Sequence, residues 1–263
     1  MTDLELAELA ARTAGELLLE RFGAPAAGLG RKSSATDMVS DADRAAEDAI
    51  AALLARERPD DGLLSEEGAA ASGSSGRRWV VDPLDGTTNY LYGFPVWAVS
   101  VAVEDSGGAL AGAVLDGARA ELFSTSRGEG AFVQTAAFEG GPLRRPLRVR
   151  DGAHLEASLI ATGFGYEAER RAEQAEALRA VLPAVRDIRR AGAAALDLAW
   201  VAAGRLDGYY ERGLKPWDWA AGRLLVTEAG GAVQELPGEP LGLAAAAPGL
   251  LPDLLALLES ARA

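Results

Sequence analysis

The segment that most constrains this chain is Trp79-Val80-Val81-Asp82-Pro83-Leu84-Asp85-Gly86-Thr87-Thr88-Asn89-Tyr90, an apolar run that delivers two carboxylates and a hydroxyl into a turn. Asp82 and Asp85 offer hard oxygen ligands for a divalent ion, Pro83 and Gly86 set the turn, and Thr87 can orient a water. That is the layout of a metal-assisted phosphate site. Asp-Pro and Asp-Gly are also ordinary turn dipeptides, with either aspartate capping a helix that begins near Thr87. The segment alone does not choose between the two.

Further acidic positions bear on the choice. Glu66-Glu67 follows Leu63-Leu64-Ser65 and precedes an Ala/Gly/Ser loop, and Asp218 stands between Trp217 and Trp219 ahead of Ala220-Ala221-Gly222. A carboxylate between two tryptophans is costly unless something neutralises it, and a cation would. Asp43 and Glu47 stand four apart on a predicted helix that continues through Ile50, Leu53 and Leu54, so they share a face. The plainer alternative for this pair is a solvated acidic first turn, which the helix dipole favours.

Composition narrows the chemistry. Among 263 residues there is no cysteine and one histidine, which removes thiolate catalysis and disulfides and leaves His-based triads resting on His154. His154 lies in the turn-like Asp151-Gly152-Ala153-His154-Leu155 and reads as a surface residue, so carboxylates must carry the chemistry. With 26 Lys plus Arg against 39 Asp plus Glu, the net charge of -13 argues against a nucleic-acid partner. The N-terminus has no cationic region leading an apolar one and no stretch is long enough to span a bilayer, so the expectation is a cytoplasmic protein without membrane contact.

The chain reads as one unit over 1–263, with halves of about 1–150 and 151–263. Thr2 and Glu5 form a possible capping box for a helix with Leu6, Leu9, Ala10, Ala14, Leu17 and Leu18 on one face, ended by Gly23. A polar stretch, 32–37, leads to the second helix. Ala69 to Gly76 reads as a mobile linker. Strand-like runs at Val96–Val103, Ala109–Leu115, Glu121–Ser124 and Ala131–Val133, separated by Gly107-Gly108 and Gly128-Glu129-Gly130, predict an antiparallel meander. Arg144–Arg150, the most basic segment, reads as a solvated edge strand or linker rather than a binding patch. The second half alternates a strand at Ser158–Thr162, helices near Glu169–Val181 and Ala193–Ala203, Tyr209-Tyr210-Glu211, a helix over Ala220–Ala229 and a last one from about Pro252 to Ala261. The first half is therefore α+β with an antiparallel sheet, and the second is α/β.

Taken together, Ser65-Glu66-Glu67, the 79–90 segment and Trp217-Asp218-Trp219-Ala220-Ala221-Gly222 resemble the signature set of the inositol monophosphatase family, bacterial type, in order and spacing. The resemblance implies a layered αβαβα sandwich and a Mg2+-dependent, Li+-sensitive homodimeric phosphatase with two or three ions per subunit. By this analogy Glu66, Asp82 and the Leu84 carbonyl bind one ion, Asp82, Asp85 and Asp218 a second, and Asp43 stands near a third, weaker one. Glu66 and Thr87 would activate the attacking water. Asp85, Gly86 and Thr87, the backbone of Gly192, Ala193 and Ala194, and the Glu211 carboxylate would meet the substrate. The chain departs from the family pattern at Ser65, Ser40 and Ala245-Ala246-Ala247, none of which is a proposed ligand.

The expected activity is hydrolysis of a small polyol or sugar monophosphate, inositol 1-phosphate first, with histidinol phosphate, fructose 1,6-bisphosphate and 3'-phosphoadenosine 5'-phosphate as alternatives. An aspartyl-phosphate mechanism fits less well, because Asp82 and Asp85 are three apart and Thr87 follows Asp85 by two. Two other classes stay open: a regulatory protein acting through partners of the transcription machinery, and a purely structural metal site.

Overall fold

Thr2 opens α1 (Asp3–Arg21) with the reciprocal cap the sequence predicts. Its hydroxyl accepts the Glu5 N–H at 3.2 Å, and the Glu5 carboxylate accepts the Thr2 N–H at 2.7 Å. The computed structural model describes residues 1–24, 30–31, 38–135 and 143–261. Two short antiparallel strands, β1 (Gly30–Arg31) and β2 (Met38–Val39), precede α2 (Asp41–Glu57). The polar stretch 32–37 lies outside the described residues.

The chain then builds an eight-stranded sheet: β3 (Gly62–Ser65), β4 (Ala70–Ala71), β5 (Arg78–Asp85), β6 (Ala98–Asp105), β7 (Gly108–Asp116), β8 (Glu121–Ser126), β9 (Ala131–Thr135) and β10 (Leu143–Pro146). The one-turn helix α3 (Thr87–Leu91) joins β5 to β6. The strand order is β10-β9-β8-β7-β6-β5-β3-β4. The predicted meander is β6 to β9, but the sheet is not antiparallel throughout, since β3 runs parallel to β5. That pairing sets Ser65 against Val81, so Glu66, the first residue past β3, comes beside Asp82, which is still within β5.

The second half forms a five-stranded sheet from β11 (Leu159–Thr162), β12 (Asp187–Arg189), β13 (Gly208–Arg212), β14 (Ala232–Leu236) and β15 (Gly242–Ala246), in the order β12-β11-β13-β15-β14. Four helices accompany it: α4 (Ala168–Val181), α5 (Ala194–Ala202), α6 (Pro216–Glu228) and α7 (Leu251–Ser260). β5 is buried on both faces, and successive side chains point to opposite sides, which explains how the layers meet. Trp79 and Val81 face α1 and α2, packing with Leu6, Leu18 and Ile50, while Val80 faces α5 and α6, packing with Leu196, Leu198 and Leu225. On the far side of α5 and α6 lie Tyr209 and Ala245 of the second sheet. The opposite face of that sheet, with Ile160, Tyr210 and Ala244, is covered by Leu254 and Leu258 of α7. The layers run αβαβα, as expected.

Local expectations fared unevenly. Arg144 to Pro146 do form an exposed edge strand, with the Arg144 guanidinium 3.9 Å from the Phe132 ring centre, and His154 is exposed. The Ser/Gly-rich stretch after Ala69 is not a free linker: Ala70 and Ala71 pair with β3, and the Asp60 carbonyl accepts the Ser74 and Ser75 N–H groups. α6 begins at Pro216 rather than at Ala220, because a proline's fixed φ and missing N–H suit the first helical position. Asp218 therefore lies inside the helix's first turn, not ahead of it.

Candidate active site

β5 ends in an irregularity that aims both aspartates. Asp82 pairs with Ser100 and Asp85 with Ala98, three steps on β5 against two on β6. Residues three apart in an even strand point to opposite faces, and one extra residue restores the parity, so both side chains open on the same cleft. Pro83 tolerates the break because it has no N–H to lose. The Leu84 N–H donates to Asp82 Oδ1 at 3.0 Å. Gly86 then turns the chain at φ 88°, where a Cβ would stand 3.0 Å from the Val96 carbonyl oxygen.

Thr87 follows and is buried. Its hydroxyl lies 3.0 Å from Asp43 Oδ1 and 3.1 Å from the Leu84 carbonyl oxygen. Asp43 is fully buried, and its Oδ2 accepts the Ser40 N–H at 2.9 Å as well as the Ser40 hydroxyl. Glu47, one turn later, is also buried and accepts the Glu67 and Ala69 N–H groups at 3.0 and 3.3 Å. The solvated acidic turn expected as the plain alternative is thus wrong for both residues. The face they share packs beneath the turns that follow β3 and β5, which helical periodicity alone does not show.

Asp85 Oδ2 accepts the Ala195 N–H at 2.7 Å, at the start of α5. Asp218 Oδ2 accepts the Lys215 N–H at 2.6 Å, and the Tyr209 hydroxyl donates to Glu211 Oε2 at 2.8 Å. Gly163 makes room for Glu211, since a Cβ there would fall 1.9 Å from the carboxylate. Asn89 ties the two halves together by donating to the Val96 and Ala191 carbonyls, each at 2.9 Å.

These residues surround a cleft of about 430 Å³. Glu66, Asp82, Leu84, Asp85, Gly86, Thr87, Gly192, Ala194, Glu211 and Asp218 all line it. Two expected site residues do not. Asp43 sits behind Thr87, and Ala193 is buried, its carbonyl accepting the Asp197 N–H at 3.0 Å. Sequence reasoning missed the aromatic and basic part of the lining, Phe164, Tyr166, Arg170, Arg190 and Lys215, because no motif there has a characteristic spacing. It also missed Asn89 as a tie, although the residue lies within the 79–90 segment. Another cavity of about 210 Å³, beside α1 and β7, contains a single carboxylate, Glu16.

The electrostatics of the cleft are those of a site built for cations. Burial and then the neighbouring Glu66, Asp85 and Asp218 push the Asp82 carboxyl well above its ordinary range, and it lies within hydrogen-bonding reach of Glu66. Burial likewise raises Asp218, with Asp85 adding to it. Asp85 is pushed up to about 7 by burial, despite the Ala195 N–H that favours its charged form. Burial also lifts Glu211 to about 7 against the stabilising Tyr209 hydrogen bond. Among the described residues, no three carboxylate or imidazole groups already stand grouped closely enough to hold a metal ion by themselves. Carboxylates this close repel one another, and Mg2+, which keeps several waters and takes one or two carboxylates with other oxygens, does not require a closed shell. The donors are all oxygen, and their shared negative charge is what such an ion would neutralise.

Comparison with known proteins agrees with the geometry. The chain matches the model of the inositol monophosphatase family over residues 2–260. It is 44% identical over 254 residues to the inositol-1-monophosphatase SuhB of Mycobacterium tuberculosis, covering 91% of this chain and 86% of that protein. It is 43% identical over 230 residues to the Nus factor SuhB of Xylella fastidiosa, covering 87% and 80%. The crystal structure of the extragenic suppressor protein suhB from Bartonella henselae superposes with a TM-score of 0.87 at 39% identity, covering 97% of each chain.

Proposed function

The chain belongs to the inositol monophosphatase family and is a phosphoric monoester hydrolase, and on that premise we propose that it releases phosphate from a small polyol or sugar monophosphate, inositol 1-phosphate first, with Mg2+ as cofactor. The observation that carries this is the convergence of Glu66, Asp82, Asp85, Asp218, the Leu84 carbonyl and Thr87 on one cleft, although they span residues 66 to 218.

Glu66, Asp82 and the Leu84 carbonyl would hold one ion, and Asp82, Asp85 and Asp218 a second. Both Asp43 oxygens are engaged by Thr87 and Ser40, so two ions are favoured over three. When bound, the ions offer positive charge to a phosphate dianion and lower the pKa of a water. The protein's own groups do the rest. The Thr87 proton is directed at Asp43 and Leu84, which leaves its oxygen to accept a hydrogen bond from the attacking water and so orient it. Glu66, beside Asp82 at the cleft, takes the proton that water gives up. Gly86, Gly192 and Ala194 present backbone to the ester, and Glu211 accepts a hydroxyl of the leaving alcohol. No protein nucleophile enters.

The test is phosphate release from inositol 1-phosphate, histidinol phosphate, fructose 1,6-bisphosphate and 3'-phosphoadenosine 5'-phosphate, with Mg2+ and with chelator. Inositol 1-phosphate is expected to turn over best and only with metal. A preference for another ester reassigns the substrate, and turnover in chelator removes the metal mechanism.

A second role is favoured by the relative named as a Nus factor. Under it the protein also binds a component of the transcription machinery, with the exposed β10 arginines as the contact. Arg144→Glu with Arg145→Glu is expected to abolish capture of RNA polymerase from a lysate while phosphatase activity is retained. Capture that survives both substitutions, or no capture by the wild type, sinks it.

A further inference from the structure

The turn that carries Glu66 is held from behind. Between β3 and β4 the chain reverses over Ser65 to Ala69: the Ser65 N–H reaches the Ala69 carbonyl at 3.0 Å, and the Glu66 N–H reaches Val81 of β5 at 3.2 Å. Two further contacts go to a single side chain on another element, with Glu47 Oε1 accepting from the Glu67 N–H and Oε2 from the Ala69 N–H. That side chain is fixed in turn, because Ala46, Ile50, Leu53 and Leu54 of α2 are buried in the core. Asp43, one turn earlier on the same face, reaches Thr87. Two carboxylates of one helix thus reach the two places from which the attacking water is controlled.

We infer that Glu47 is a positioning residue, which fixes the Glu66 carboxylate at the cleft by clasping the backbone of the turn that follows it. The inference rests on the role given to Glu66 above. A carboxylate that accepts two N–H groups in a buried setting makes strong, directional bonds, and loss of either acceptor leaves a donor unsatisfied. Glu66 is the residue adjoining the first clasped amide, so slack in the turn passes directly to it.

Glu47→Gln is the discriminating variant, since it keeps the shape but turns an NH2 donor towards one of the two N–H groups. Its kcat is expected to fall on the order of 100-fold, the usual cost of a displacement of about 1 Å in a catalytic group, with KM for inositol 1-phosphate changed less than about threefold. The Mg2+ concentration giving half the full thermal shift is expected to rise by about tenfold, as for the loss of a group that orients a ligand. A readout independent of turnover is amide hydrogen exchange of the metal-free protein. Exchange at Glu67 and Ala69 is expected to quicken by about tenfold or more, while the amides of α1 keep their wild-type rates. Glu47→Asp retains both acceptors at shorter reach and is expected to fall between the two, which covers the case of a Gln variant that does not fold.

Wild-type kcat and Mg2+ titration in Glu47→Gln would overturn the inference, as would exchange that quickens across the whole fold. Failure of the phosphatase reading looks different: the wild type itself would then show neither Mg2+-dependent turnover nor a Mg2+ thermal shift. Local quickening at Glu67 and Ala69 alongside that result would reduce Glu47 to a structural clasp.

Discussion

Asp218→Asn is expected to give a folded protein whose Mg2+-dependent phosphate release is lower by on the order of 1,000-fold, equivalent to about 4 kcal/mol of barrier. The substitution is nearly isosteric. Asp218 caps the first turn of α6 by accepting the Lys215 N–H, and an amide oxygen can accept the same bond, so the helix start survives. What goes is one negative charge from a group that faces Asp85 and Glu66. Without metal, removing that repulsion leaves the variant at least as resistant to heat as the wild type. With metal, the variant loses most of the stabilisation that Mg2+ gives. Calorimetry with Mg2+ and with EDTA, beside a phosphate-release assay, reads both effects. A variant that unfolds would favour a purely structural metal site, and wild-type turnover would remove Asp218 from the machinery.

The pH dependence of metal binding is the second large effect. Asp85 and Glu211 are pushed up to about 7 in the folded protein without metal. A carboxyl whose folded pKa exceeds its unfolded one binds its proton more tightly when folded. Its stabilising contribution is complete below the unfolded value near 4 and is lost as pH rises through about 7. The metal-free protein is therefore expected to be less stable at pH 8 than at pH 5.5, by on the order of 2 kcal/mol after discounting for water in the open cleft, or about 5 °C. Mg2+ held by Asp85 must displace the Asp85 proton, so its own effect runs the other way, with a larger thermal shift at pH 8 than at pH 5.5. Scanning fluorimetry across that range in EDTA and in Mg2+ separates the two slopes. A Mg2+ shift independent of pH would mean that Asp85 does not hold the ion.

The 79–90 segment shows how far local sequence reaches. Its turn residues and hard-oxygen donors were legible because each acts through its own backbone preference or functional group. The direction of Asp82 and Asp85 was not. Three residues apart on a strand, they should point to opposite faces, and only the irregular pairing with β6 turns them to one side. The acidic face of α2 failed in the other direction. Asp43 and Glu47 were correctly placed together, yet a helix's periodicity gives no sign of what covers its first turn, and here two backbone turns bury it.

Local sequence carried the principal helices, the β6 to β9 meander and the chemistry the site can hold, but not short or edge strands such as β4, β12 and β14. The Thr2 and Glu5 cap, the β-prone runs and glycine turns of β6 to β9 and an oxygen-only set of donors act over a few residues, or through side-chain type alone. Tertiary contacts settled the rest: that β3 runs parallel to β5 and brings Glu66 beside Asp82, that Asp218 enters from α6, and that Phe164, Arg170, Arg190 and Lys215 complete the lining of the cleft. Those placements depend on contacts between residues far apart in the chain, set by which apolar faces bury together, and no local pattern records the partner.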